Sequence, residues 1–394
     1  MGTMTSWRKR LPYDPIPILL ESGSEPVEYF ARRDLLEEDP GTVERLWESR
    51  DAQKILHRQL KNGGWRYPSP ATTTRSAGDY DQIETYRNLG FLVEKFGFTR
   101  AHPAVQKAAE FLFSSQTPSG DFRGIYGAQY SPNYSAGIME LLIKAGYGRD
   151  TRITRGFRWL LSMRQIDGGW AIPLRTHPTG GKWTDRMQVK TIEPDRAKPF
   201  SHMVTGVVLR AFAVAEKYRD REEIRSAGEL LASRFFKTDA YVDRRTPEFW
   251  VGFSYPFWFT DLLSALDSLS RFGFPAEDPD IRKGLNWFVE QQRKDGGWNL
   301  KLLKGADKAL PYWLDLSVCR IYRRFFRTNH VHPSSLFPSL SLAPLGIGIQ
   351  GCVQREAEEG LSGDARPERS GFSHPHQNSM EHQAPIQDDP AIRQ

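Results

Sequence analysis

The chain has 394 residues, 39% of them hydrophobic and 12% aromatic, enough to bury a sizeable core in one large domain or two ordinary ones. Its net charge of +6, from 54 basic and 48 acidic residues spread along the chain, argues for anionic ligands or lipid surfaces and against nucleic acid. Two cysteines, Cys319 and Cys352, exclude a disulfide framework and suit a reducing compartment.

Residues 1–25 read as an extended, proline-containing lead. Arg8, Lys9 and Arg10 precede only the short Ile16–Leu20 run, which fits neither a signal peptide nor an anchor. No apolar run reaches about 18 residues, so a cytoplasmic protein with at most peripheral membrane contact is expected. Pro26–Glu38 supports a short helix with proline at its start. Two kinds of helix then alternate. Amphipathic ones are expected over 42–60, 103–116, 151–165, 222–236 and 279–293, several opened by punctuation such as Pro103 or Asp150-Thr151. Between them lie Ile83–Phe96, Tyr134–Ala145, His202–Ala215, Trp258–Phe272 and Tyr312–Phe326, apolar on more than one face and therefore buried. Connections from the second kind to the first are short. Those in the other direction are long, Ala171–Ser201 running for about thirty residues, so the long loops gather at one rim, the expected mouth. Residues 328–394, rich in Pro, Ser, Gly, Gln and charge, are expected to be a disordered tail.

An internal repeat organises this alternation. In Lys283–Trp298, KGLNWFVEQQRKDGGW, a base stands at offset 0, a small residue at 1, an aromatic at 4, Gln292 at 9, Gly near 13 and an aromatic at 15. Arg50–Trp65, Lys107–Phe122 and Arg155–Trp170 follow the same ruler, with Gln59 and Gln116 in register and Arg164 where Gln292 stands. Ser226–Tyr241 is a decayed copy that keeps Ala227 and Leu230. One such segment could be any amphipathic helix ending in a glycine turn; matched aromatic offsets across the copies mark a closed array of units that bury their apolar faces against neighbours.

The pattern resembles the QW repeat of the squalene-hopene cyclase, lanosterol synthase and protein prenyltransferase superfamily, and covers about residues 26–327. The resemblance implies an all-α fold, an α/α toroid of about five to six helical hairpins of the terpenoid cyclase and protein prenyltransferase type. It also implies an isoprenoid or similar small apolar ligand in a central cavity and, if the chain is an enzyme, an isomerase or cyclase or a prenyl-group enzyme.

At the expected mouth the inner-helix N-termini favour anions, and loop bases such as Lys182, Arg123, Arg186, Arg244, Arg245 and Lys304 could hold an anionic head or remain ordinary solvated charges. First turns of the inner helices carry Glu84, His202, Asp261 and Asp315, with Asp81 just ahead. These are the candidate general acids and bases, unless the carboxylates serve only as dipole partners. A cation at a helix N-terminus is unfavourable, so His202 should be neutral. Aromatic faces stabilise cations, and Tyr86, Tyr134, Trp258, Phe259, Tyr312 and Trp313 are candidate lining residues, whereas Trp65, Phe122, Trp170 and Trp298 sit at the repeat's own offset 15 and read as structural plugs.

The sequence departs from the resemblance in three places. Squalene-hopene-type cyclases protonate an alkene with the middle Asp of an Asp-x-Asp-Asp motif followed by Thr; here the nearest segment is Asp79-Tyr80-Asp81-Gln82-Ile83-Glu84-Thr85, in which the motif is incomplete. Those cyclases use two helical domains and this chain has residues for one. The zinc ligands of the prenyltransferases are not reproduced by Asp315 and Cys319. No cofactor is required, although Mg²⁺ would accompany a diphosphate substrate. A non-catalytic toroid that binds a ligand or a partner protein, and a carbohydrate-active toroid using paired carboxylates, remain open beside the cyclase-like reading.

Overall fold

The computed structural model describes residues 6–68, 77–124, 127–177, 190–241, 246–303 and 307–327. The expectations for the tail at 328–394 and for Arg186, Lys182, Arg244, Arg245 and Lys304 lie outside these residues. Twelve α-helices are named among the described residues: α1 (Ile16–Leu20), α2 (Glu25–Ala31), α3 (Arg50–Leu56), α4 (Ala77–Phe96), α5 (Pro103–Phe113), α6 (Pro132–Leu142), α7 (Thr151–Ser162), α8 (His202–Ala213), α9 (Glu222–Ala232), α10 (Leu262–Arg271), α11 (Pro279–Glu290) and α12 (Leu310–Phe325).

Local chemistry sets most of these starts. Ser49, His102, Asp150, Ser201, Asp261 and Asp278 each turn a side-chain acceptor onto the first free amides of the helix that follows, satisfying donors that have no partner inside the helix. Two expected spans are revised. The first amphipathic stretch, 42–60, is split into a 3-10 turn, Val43–Glu48, and α3, because Ser49 opens a new helix. The helix expected from Trp258 begins at Leu262, since Asp261 and Ser264 form a reciprocal capping box that stops propagation backwards.

The even-numbered helices form the inner layer. α2 packs on α4, α4 on α6, α6 on α8, α8 on α10, α10 on α12, and α12 on α2, so residues 6–327 close into a ring. The odd-numbered helices pack outside them: α1 on α2, α3 and α5 on α4, α7 on α6, α9 on α8, α11 on α10. Inner helices are buried nearly all round: in α8 only Met203 escapes full burial. Strict alternation means that the inner helices all run the same way, with N-termini at one rim and C-termini at the other. This is an all-α, α/α toroid of six hairpins.

The repeat acts as the mortar. Gln59 Nε2 donates to Gly63 O at 2.9 Å and to Ala104 O at 2.8 Å, at the start of the next outer helix. Gln116 does the same to Gly120 O and Arg152 O. In the last repeat Gln292 donates to Gly296 O at 3.0 Å and to Tyr13 O at 2.9 Å, and accepts from Tyr13 N. The lead therefore takes the place of a next repeat and closes the ring, α1 included, rather than trailing as an extended segment. The terminal tryptophans also share one contact: Trp65, Trp170 and Trp298 each donate Nε1 to the carbonyl at offset 5 of their own repeat, Ile55, Leu160 and Phe288. The decayed copy lacks this, and Trp250 is buried there instead, donating to Lys237 O.

Candidate functional site

The candidate acids and bases at the N-terminal rim each have a partner within the fold, and one of them takes part in a contact that four repeats share. The backbone N–H of each repeat-terminal aromatic is accepted by an inner-helix oxygen: Trp65 by Thr85 Oγ1, Phe122 by Ser135 Oγ, Trp170 by Thr205 Oγ1 and Trp298 by Asp315 Oδ1. Asp315 thus stands where the other units use a hydroxyl. Burial pushes its pKa up to about 7, against the opposing pull of Arg293 and the Trp298 amide. Asp261 is the buried cap of α10, accepting from Ser264 N at 2.7 Å.

His202 is buried, stacked on Trp250 with ring centroids 4.7 Å apart, and its Nδ1 lies 3.4 Å from Asp239. Burial lowers its pKa to about 4 despite the Asp239 carboxylate, so the ring is neutral near neutral pH. Asp81 accepts the Tyr67 amide at 2.9 Å, and Glu84 binds Arg87 and Asn88. At 100° per residue these two acids lie roughly 140° and 160° round α4 from Tyr86, whose hydroxyl abuts Gly137 on α6. Arg123 is occupied with Asp121, Ala128 O and Thr191, tying down the loop chain on this rim. Tyr134 and Tyr312 are half-buried against the core. Each of the five candidate acids and bases thus has a partner of its own within the fold. Among the described residues no three His, Cys, Asp or Glu side chains converge to hold a metal ion, and no helix is long and apolar enough to cross a membrane.

The segment that precedes α10 runs between the inner helices. Trp258 meets Tyr86 and Phe91 of α4 at 5.3 and 5.7 Å between centroids and lies against Gly90. Tyr255 stacks on Trp313 of α12 at 5.0 Å with planes 6° apart, and its hydroxyl donates to Glu94 O. Phe259 O accepts from Arg210 of α8, and Thr260 donates to Met203 O. Three inner helices, α4, α8 and α12, are bridged by six consecutive residues, of which Phe257, Trp258 and Phe259 stay only half-buried. Beneath them Arg210 Nε binds Glu140 at 2.9 Å, both buried, and Glu140 also takes Lys144 at 2.7 Å.

A cavity of about 580 Å³ opens at the opposite rim, where the inner helices end. Its walls come from the last turns of α4, α6, α10 and α12 and from the turn after α2, with Phe30, Phe98, Tyr255 and Phe257 as the apolar part. Ten of the lining residues are charged. Asp267 holds Arg271 at 2.9 Å and also Arg324; Asp34 holds Arg33 and Arg320, each at 2.6 Å. Burial alone would raise the Asp267 pKa, but Arg271 and Arg324 outweigh it and hold the carboxyl well below the usual range. The sequence reading missed this cup. The available signal was the run Arg320, Arg323, Arg324 and Arg327, spaced 3, 4 and 7 residues apart on one face at the end of an inner helix.

A family profile described as the squalene-hopene cyclase C-terminal domain matches this chain twice, over residues 79–177 and 144–309. The squalene–hopene cyclase of Bradyrhizobium diazoefficiens (strain JCM 10833 / BCRC 13528 / IAM 13628 / NBRC 14792 / USDA 110) is 23% identical over 238 residues, 57% of this chain and 32% of that protein, so the chain spans about a third of the length of this curated relative. Among solved structures, a variant of the type II terpene cyclase MstE from Scytonema in complex with geranylgeranyl dihydroxybenzoate is similar at 14% identity, covering 72% of this chain and 98% of that one, with a TM-score of 0.31. An alpha-amylase from Clostridium perfringens is similar at 13% identity, covering 70% and 79%, with a TM-score of 0.36. Since the profile takes in more than half of its residues, the chain belongs to the squalene-hopene cyclase C-terminal domain family.

Proposed function

We propose that this chain is a binding toroid of the squalene cyclase type that does not start a cyclisation by protonating an alkene. One observation carries the reading: the segment Tyr255–Thr260 takes up space between the inner helices, bonded or stacked to three of them, α4, α8 and α12. A polyene needs that volume, and an acid aimed into it, to be folded and protonated. Asp261 and Asp315 are buried hydrogen-bond acceptors of the fold, and Asp81 and Glu84 sit on the side of α4 away from Tyr86. His202, with its lowered pKa, is a poor proton donor near neutrality.

Incubation of the purified protein with squalene, and with farnesyl and geranylgeranyl diphosphates, followed by extraction and mass spectrometry, tests the reading. No cyclised or hydrated product is expected. A product made by the wild-type protein and lost in Asp81→Asn or Glu84→Gln would overturn it and restore a cyclase.

A further inference from the structure

The cup at the C-terminal ends of the inner helices is unusual in its charge stoichiometry. Helix C-termini carry partial negative charge, and a base in each last turn would be ordinary complementarity. That accounts for one base per helix, yet α12 and the residues just after it bring four. Counter-charges are also too few. Asp34 serves Arg33 and Arg320, Asp267 serves Arg271 and Arg324, and Glu37 serves Arg323 and Arg327. Of the residues that line the cavity, seven are basic and three acidic. Burial lowers the Arg324 pKa to about 10, with Arg271 and Arg320 adding to it against Asp267, whereas Arg271 and Arg320 themselves are held up by Asp267 and Asp34.

Three features turn this excess into a site. The guanidinium groups are already held in place by Asp34, Asp267 and Glu37, so a ligand would find them ordered. Planar guanidinium forks match tetrahedral oxyanions with paired hydrogen bonds. The volume, about 580 Å³, falls among small-molecule pockets, and the aromatic wall of Phe30, Phe98, Tyr255 and Phe257 offers an apolar side to whatever carries the anion. Multiple excess positive charges favour a group with more than one negative charge.

We propose that this cup binds a phosphate-bearing ligand, a mono- or diphosphate, held by Arg271, Arg320 and Arg324 inside and by Arg323 and Arg327 at the rim. The site is independent of whether the ring axis does chemistry. A soluble phosphorylated molecule and a phospholipid headgroup present the same chemistry to these groups.

The experiment titrates the full chain with inorganic pyrophosphate by calorimetry and, in parallel, floats it with phosphatidylcholine vesicles containing phosphatidic acid. Pyrophosphate should bind and raise the thermal midpoint, with affinity falling as salt is added. The double variant Arg323→Gln, Arg327→Gln, at the rim and expected to fold, should bind about tenfold or more weakly, and Lys54→Gln on the outer face should bind like wild type. Arg324→Gln is a second probe inside the cup, read only if its circular dichroism is native. Pyrophosphate binding without flotation assigns a soluble ligand; flotation lost in the rim variant assigns a headgroup. Binding of neither probe, or binding indifferent to the rim variant, overturns the proposal, as does citrate binding as tightly as pyrophosphate.

Discussion

Asp315 and His202 show how one buried residue can make a whole fold sensitive to pH. The Asp315 pKa is raised to about 7, so the folded protein keeps a proton that the unfolded chain gives up near 3.8. Stability therefore falls as pH rises from about 4 to 7 and is level above that. Asp315→Asn keeps an acceptor for the Trp298 amide and removes the penalty; chemical denaturation should find it about 2–4 kcal/mol more stable than wild type at pH 8, with the gain shrinking towards pH 4. His202 slopes the other way, because its lowered pKa of about 4 leaves the folded state short of a proton that the unfolded chain binds below 6.5. In the Asp315→Asn background, stability should drop by about 3 kcal/mol between pH 6.5 and 4, and His202→Gln should flatten that limb. An acid limb unchanged by His202→Gln would mean that another group titrates there.

Between neighbouring elements, the glutamine of each repeat does the joining, and the joint most open to test is the one that closes the ring. Gln292 spans Tyr13 and Gly296 with three hydrogen bonds. Gln292→Ala should cost about 1–3 kcal/mol, and hydrogen exchange should find the amides of residues 6–20 opening before those of α4–α10. Uniform protection across the chain would show that α1 is held by its apolar contacts alone. Gly296 has φ +91° and packs directly on the Asp14 carbonyl. An alanine there meets both a backbone conformation that favours glycine and a steric overlap, so Gly296→Ala should destabilise more than Gln292→Ala does in the same denaturation assay.

At the scale of the molecule, the ring is held from inside by the segment that precedes α10 and by the Glu140–Arg210–Lys144 cluster beneath it. Arg210 joins α8 to α6 and to the Phe259 carbonyl, and Arg210→Met leaves Glu140 with one of its two cations. A loss of about 3–5 kcal/mol is expected in urea unfolding. Trp258→Ala should cost about 2–4 kcal/mol and leave an apolar hollow beside α4; uptake of xenon or a small hydrocarbon by the variant and not by wild type would verify that the side chain fills this space. Equal uptake by both would show the space to be open already.

The sequence by itself determined the alternation of two helix kinds, the approximate spans of the hairpins and the repeat that joins them, because the offsets of Gln, Gly and Trp are local and record hydrogen bonds made within about sixteen residues of chain. A neutral His202 was expected from its place at a helix N-terminus, but the cause in the structure is burial, which is tertiary. Tertiary structure decided what lies between the inner helices, since nothing local shows that a loop before Leu262 turns inward to meet α4 and α12. It also decided that Asp315 is a stand-in for Thr85 and Thr205, which only superposed repeats reveal, and that bases from α2, α6, α10 and α12 meet around one cavity. Charges far apart in sequence converge only when the ring closes, and the end of a helix on which they converge is invisible to a pattern that reads one helix at a time.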